Sequence, residues 1–112
     1  MTTEKYLEIA NKALDEKFAN DIVILDIRKI SVLTDYFIIC DGNNANQIRA
    51  MAAEAEGKLG KAGLPLRRHE GDGSEGWLLL DFGDIIIHIF NNETRAYYKL
   101  EKVWADAVQV KI

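Results

Sequence analysis

Two apolar, strand-like segments separated by only two residues constrain the fold of this chain more than any other feature. They cover residues 77–82 and 85–90, and Gly83 and Asp84 lie between them. Glycine adopts a positive φ without the steric cost of a Cβ atom, so this spacing is typical of a tight β-hairpin. The sequence therefore predicts two antiparallel strands in a fixed register.

The predicted register divides the hairpin side chains between two different faces. The first face is wholly apolar and is expected in the core; its pairs are Phe82–Ile85, Leu80–Ile87 and Leu78–Ile89. The second face mixes aromatic, imidazole and carboxylate groups; its pairs are Trp77–Phe90, Leu79–His88 and Asp81–Ile86. Because a buried face tolerates unpaired polar groups poorly, we expect the second face to be functional.

His88 lies diagonally opposite Asp81 in this register. A nearby carboxylate stabilises the protonated imidazole, so the pattern predicts a structural pair with a charged His88. Trp77 and Phe90 have two interpretations that the sequence leaves open. Either the last helix covers them as core, or one is exposed and is a hot spot for binding a partner.

The remaining periodicity predicts a single domain over residues 1–112, with the element order α-β-β-α-β-β-β-α. The expected architecture is α/β, a mixed five-stranded sheet flanked by helices. Helices are expected over residues 3–17, 44–59 and 93–108, and strands over residues 21–28, 36–41, 66–70 and the hairpin. Strands 21–28 and 36–41 are continuously apolar enough to be inner strands. The expected N-caps are Thr2 or Thr3, Asn44 with Gln47 as its reciprocal partner, and Asn91 or Asn92.

The last predicted helix has an apolar stripe that should pack on the sheet: Tyr97, Leu100, Val103, Trp104 and Ala107. Arg95 and Tyr98 lie off this stripe, which places them toward a partner surface.

Charge is distributed unevenly along the chain of 112 residues, 48% of which are hydrophobic. Residues 70–112 hold eight acidic and four basic side chains, so the whole net charge of −4 lies in the part with the mixed hairpin face. An acidic surface with exposed aromatics suits a basic protein partner better than nucleic acid, which requires cations. The surplus acid is equally consistent with a role in solubility alone.

Localisation is indicated by what the sequence lacks. No apolar run approaches the ~20 residues that span a bilayer, and no secretory signal is visible, so we expect a cytoplasmic protein without membrane contact. The single cysteine, Cys40, lies within an apolar strand and is expected to be a small buried side chain.

A series of spaced residues runs through residues 21–104, and it is specific as a set although no member is diagnostic alone. The series is Asp21-Ile22, Leu25-Asp26, Asp35-Tyr36-Phe37-Ile38-Ile39, Gly42, Gln47, Glu70-Gly71, Trp77, Asp81-x-Gly83-Asp84, His88-x-Phe90 and Arg95-x-x-Tyr98-x-Leu100-Glu101-x-x-Trp104. By this set the chain resembles the ribosomal silencing factor family, also called the Iojap or oligomerisation-domain family. One departure is Asn43-Asn44, where the family usually ends a Thr-Gly-x-Ser motif. Asparagine caps helices as serine does, so we interpret the change as structural.

The resemblance implies a function without catalysis or a cofactor. Family members bind the large ribosomal subunit at ribosomal protein fourteen, block joining of the small subunit, and repress translation when nutrients are limiting. They tend to form homodimers when free, and their fold is similar to that of nucleotidyltransferases without that chemistry. The expected partner-binding residues in this chain are Trp77, Leu79, Asp81, His88, Phe90, Arg95 and Tyr98.

Two alternatives from other classes remain. The first is a nucleotide-binding or nucleotidyltransferase-like enzyme, which needs two carboxylates two apart on a strand to share metal ions. Asp81 and Asp84 are three apart across a turn, and no phosphate-binding Gly-x-x-x-x-Gly-Lys loop is present. The second alternative is a stand-alone dimeric scaffold whose mixed face pairs with itself.

Overall fold

The computed structural model describes residues 2–99, 102 and 104–112, and it has the predicted element order with one strand added. The elements are α1 (Thr3–Glu16), β1 (Asn20–Asp26), β2 (Tyr36–Gly42), α2 (Ala45–Lys61), β3 (Arg68–Glu70), β4 (Trp77–Asp81), β5 (Ile85–Asn91), α3 (Asn92–Tyr98) and β6 (Val108–Val110). The mixed α/β class is therefore confirmed.

The sheet has six strands among the described residues, not the predicted five, in the order β3-β4-β5-β2-β1-β6. The central pair β2–β5 is parallel, and the other neighbours are antiparallel. All of β2 is buried, as predicted for an inner strand. The same prediction is wrong for the first half of β1, which is only partly buried and has an irregular register with β2 between Asn20 and Val23.

The hairpin register is confirmed. Trp77 lies opposite Phe90, and Leu79 lies opposite His88. The turn closes with Phe82 N–H donating to the Ile85 carbonyl at 2.9 Å, and Gly83 has a φ of +94°. A residue with a Cβ would be strained at this φ, so the glycine fixes which side chains enter the core.

Helix α2 packs on the first face of the hairpin and α1 packs on α2 and β1, and their apolar side chains form the main core together. Leu78 is 1% exposed, and Leu80, Ile87 and Ile89 are fully buried. The caps that position these helices are as predicted: Thr2 caps α1, and the Asn44 side chain accepts from Gln47 N–H at 2.8 Å. The Gln47 side chain accepts in turn from Asn43 N–H at 2.7 Å, one residue earlier than predicted.

The last predicted helix is wrong in its length. Helix α3 ends at Tyr98 because Lys99 adopts a left-handed conformation with a φ of +48°. Tyr97 is 81% exposed, so it does not belong to a core stripe, and Leu100 and Val103 lie outside the described residues. Trp104 and Ala107 do pack on the second face of the sheet, as predicted.

The segment expected to end that helix instead forms β6. Val108 pairs with Asp26 and Val110 pairs with Ile24. Valine favours extended backbone, and the edge of β1 offers it unpaired hydrogen-bonding groups. Tertiary pairing therefore overrides the helical pattern at this end of the chain.

Gly76 brings the start of β4 against the N-terminus of α3. Its carbonyl accepts from Asn91 N–H at 2.9 Å, and the Asn91 side chain caps α3 by accepting from Thr94 N–H at 2.8 Å. The φ of Gly76 is +84°, and a Cβ there would collide with the side chains of Asn91 and Thr94. Only glycine fits this contact.

We expect Gly76→Ala to lower the free energy of unfolding by about 2 kcal/mol, since it combines backbone strain with a steric clash. Gly57→Ala is the matched control, because its Cβ would meet no atom within 4 Å on an exposed part of α2. This control should raise stability by about 0.5–1 kcal/mol through helix propensity. Urea denaturation measures both, and equal effects at the two sites would contradict the packing at Gly76.

Candidate functional site

A groove of about 860 Å³ opens beside the second face of the hairpin. It lies between the glycine-rich loop that precedes β4, the strands β4 and β5, and helix α3. The lining residues are Gly71, Asp72, Ser74, Glu75, Trp77, His88, Phe90, Thr94 and Tyr98. The mixed face is thus open on this side, while Trp104 covers its other side by packing edge-on against Phe37 at 5.3 Å between ring centroids.

Four of the seven predicted site residues line this groove: Trp77, His88, Phe90 and Tyr98. The structure does not bring the other three there. Leu79 is 8% exposed, and the Asp81 carboxylate accepts from Gly83 N–H at 2.8 Å in the hairpin turn. Arg95 lies on another side of α3, in a polar hollow.

Aromatic rings form the floor of the groove. Phe90 is 4% exposed, and its ring stacks in parallel with the imidazole of His88 at 6.1 Å. Tyr98 tilts over Phe90 at 6.3 Å and is 59% exposed. Phe90 is therefore core, and the accessible aromatic surface belongs to Tyr98 and to the partly buried Trp77.

The predicted pairing of His88 with Asp81 is wrong. Neither ring nitrogen of His88 has a hydrogen-bond partner within the described part of the chain. The Asp81 carboxylate turns to the hairpin backbone and lies 3.9 Å from the Arg68 guanidinium. With no carboxylate to oppose it, burial lowers the pKa of His88 to about 4, so the imidazole is neutral at pH 7.

Arg95 has a structural role in this arrangement. Its guanidinium lies 3.0 Å from the Asp41 carboxylate, and both side chains are nearly buried. It also donates to the Asn20 carbonyl at 3.2 Å. These bonds fasten α3 to the ends of β1 and β2, and α3 in turn holds Tyr98 over the groove.

Acidic residues at the rim of the groove were not predicted as site residues. The Asp72 carboxylate accepts from Ser74 N–H at 2.8 Å and from Ser74 Oγ at 2.5 Å, and these bonds hold the pKa of Asp72 below its usual value. The Arg49 guanidinium donates to the Asp72 carbonyl at 2.9 Å, which ties the loop to α2. The sequence signal for this turn is an aspartate followed by glycine and serine, because the carboxylate can accept a hydrogen bond from the residue two positions later. Glu75 also lines the groove, and no comparable sequence pattern marks it.

Neither a metal-binding cluster nor an accessible thiol is found within the described residues. They contain no cluster of three histidine, cysteine or acidic side chains that could hold a metal ion. Cys40 is fully buried, as predicted, and burial raises the pKa of its thiol to about 12. None of the helices described is long and apolar enough to cross a membrane.

Comparison with known proteins matches the whole chain, residues 1–112, to the family described as "Ribosomal silencing factor during starvation". The chain is 41% identical over 107 residues to ribosomal silencing factor RsfS of Bacillus subtilis, covering 96% of this chain and 91% of that protein. It is 38% identical over 112 residues to the protein of the same name from Halalkalibacterium halodurans, covering 100% and 96%. A crystal structure of a Chromobacterium violaceum protein is similar with a TM-score of 0.90 and 31% identity, covering 94% of this chain and 88% of that one.

We expect acid to destabilise this protein through His88. Its pKa is about 4 in the folded state and near 6.5 when unfolded, so between these values the unfolded chain binds more protons. The free energy of unfolding should therefore fall by roughly 3 kcal/mol as the pH is lowered from 6.5 to 4. The measurement is urea denaturation of wild type and His88→Phe between pH 4 and 7. A difference between the two that does not change with pH would contradict the buried neutral imidazole.

Proposed function

Because this chain belongs to the ribosomal silencing factor family, we propose that it silences ribosomes by binding the large subunit and blocking its joining to the small subunit. The support is a family match over the full chain together with relatives at 38–41% identity that bear this name. The role is repression of translation in the cytoplasm when nutrients are limiting. It requires binding alone, without catalysis or a cofactor.

The proposed contact on the large subunit is ribosomal protein fourteen, a basic partner, bound at the groove. The observation that supports this choice is the combination of Asp72 and Glu75 at the rim with Trp77 and Tyr98 beside them. Acidic groups steer a basic partner and fix its orientation, while partly exposed aromatics supply the apolar anchor of an interface. Phe90 and Arg95 act from below, by supporting the exposed rings and α3.

The blocking mechanism is steric. The described chain measures 32 × 31 × 24 Å, which is too large to fit within a close contact between two subunits. Occupancy then follows from the affinity for the subunit and the concentration of the protein. Free protein is proposed to form homodimers, and pairing through the same groove would compete with ribosome binding.

We expect saturating protein to leave purified large and small subunits separate at a Mg²⁺ concentration that otherwise joins them. The protein should sediment with the large subunit alone. Sucrose-gradient sedimentation with and without the protein is the measurement. Full joining at saturating protein would overturn the proposed function.

We expect Trp77→Ala and Tyr98→Ala each to weaken binding to isolated ribosomal protein fourteen by roughly 30-fold, the effect of removing an aromatic hot spot worth about 2 kcal/mol. Phe18→Ala is the control, because Phe18 is another aromatic side chain, 81% exposed, in the turn between α1 and β1. Calorimetric titration measures the affinities, and circular dichroism checks the fold. Wild-type affinity in both groove variants would move the interface elsewhere.

A further inference from the structure

The environment of His88 in the free protein is unfavourable for its ring nitrogens. Its two ring nitrogens are buried and have no hydrogen-bond partner within the described residues. A buried polar atom that has lost its water and found no replacement carries a desolvation penalty. No hydrogen bond from the described residues offsets that penalty.

The surroundings of His88 would suit an apolar ring equally well. Phe37 packs edge-on against the imidazole at 4.8 Å, and Phe90 stacks on it. Across the strand pair, its neighbour is Leu79. These contacts require an aromatic or aliphatic group and make no use of nitrogen. The folded state alone therefore gives no reason for histidine at this position.

The groove provides such a reason, because His88 is part of its lining. The nitrogens themselves are covered, so the surface that His88 presents there is not a nitrogen. A half-turn of the imidazole about its Cβ–Cγ bond exchanges a nitrogen with a carbon while the outline of the ring is unchanged. In the orientation described both nitrogens face protein atoms, so a donor entering the groove must turn the ring to reach one, and this turn keeps the ring outline that Phe37 and Phe90 contact.

We propose that His88 is a specificity-determining residue that accepts a hydrogen bond from a lysine or arginine side chain inserted into the groove by the partner. The inference rests on the proposed function and deepens it by naming the group that the groove recognises. The neutral imidazole has one unprotonated nitrogen, which can accept a bond from a cationic donor. Binding then satisfies an atom that the free protein leaves unpaired.

The rest of the groove fits a cationic side chain. Asp72 and Glu75 line it, are exposed and provide the opposite charge. The rings of Trp77 and Tyr98 provide faces on which the aliphatic stem can pack and over which a guanidinium or ammonium group is attracted. A partner with an apolar group in this position would leave His88 unpaired, so the site discriminates against it.

The test compares His88→Phe with the wild type in binding to purified ribosomal protein fourteen. Phenylalanine keeps the ring contacts and removes the nitrogens, so it should preserve or raise the urea midpoint while weakening binding at least tenfold. Ile86→Val is the matched control, since Ile86 lies on the same face of β5, outside the groove lining, and the change removes one methylene group. It should bind within about twofold of wild type.

A second measurement uses the wild-type chain. The chain has two histidines, and the ¹⁵N signals of the His88 ring should shift more when the ribosomal protein is added than those of His69, whose Nε2 already lies 2.6 Å from the Gly71 carbonyl. Binding of His88→Phe within twofold of wild type, or unshifted His88 signals at saturation, overturns the inference. Failure of the wild type to bind overturns the proposed function instead, so the two outcomes are distinct.

Discussion

The two-residue turn at Gly83 is the constraint on which the rest of this molecule depends. It fixes the register of β4 against β5, and that register decides which side chains meet α1 and α2 and which face the groove. A slip of one residue in β5 would exchange its faces, moving His88 into the main core and Ile87 and Ile89 to the second face. The division into an apolar face and a mixed face is therefore a direct consequence of one positive φ.

The groove is built from elements that are fastened at both ends. Asn91 joins the end of β5 to Gly76 and caps α3, while Arg95 ties α3 to Asp41 at the end of β2. Hydrogen bonds from Ser74 to Asp72, and from Arg49, hold the acidic loop opposite. A site supported in this way can bind with little backbone rearrangement, which keeps the entropy cost of association low.

The parts of this structure that could be predicted from sequence are those governed by neighbouring residues. The hairpin register follows from alternation and a glycine turn, and the caps at Asn44 and Asn91 follow from side chains that reach their own helix. The strand at Val108 and the neutral state of His88 depend on distant partners, the free edge of β1 and the aromatic rings around the imidazole. Short-range patterns contain no information about either, which is why they predict too long a final helix and a charged imidazole.

The parallel pairing of β2 with β5 has a consequence for how the chain folds. Tyr36 and Ile85, which meet at its start, are about fifty residues apart in the sequence, so a long loop must close before the centre of the sheet exists. The hairpin and the two long helices contain local contacts and can form earlier. Until the central strands meet, β5 presents an unpaired aliphatic edge, which makes this stage the most exposed to aggregation.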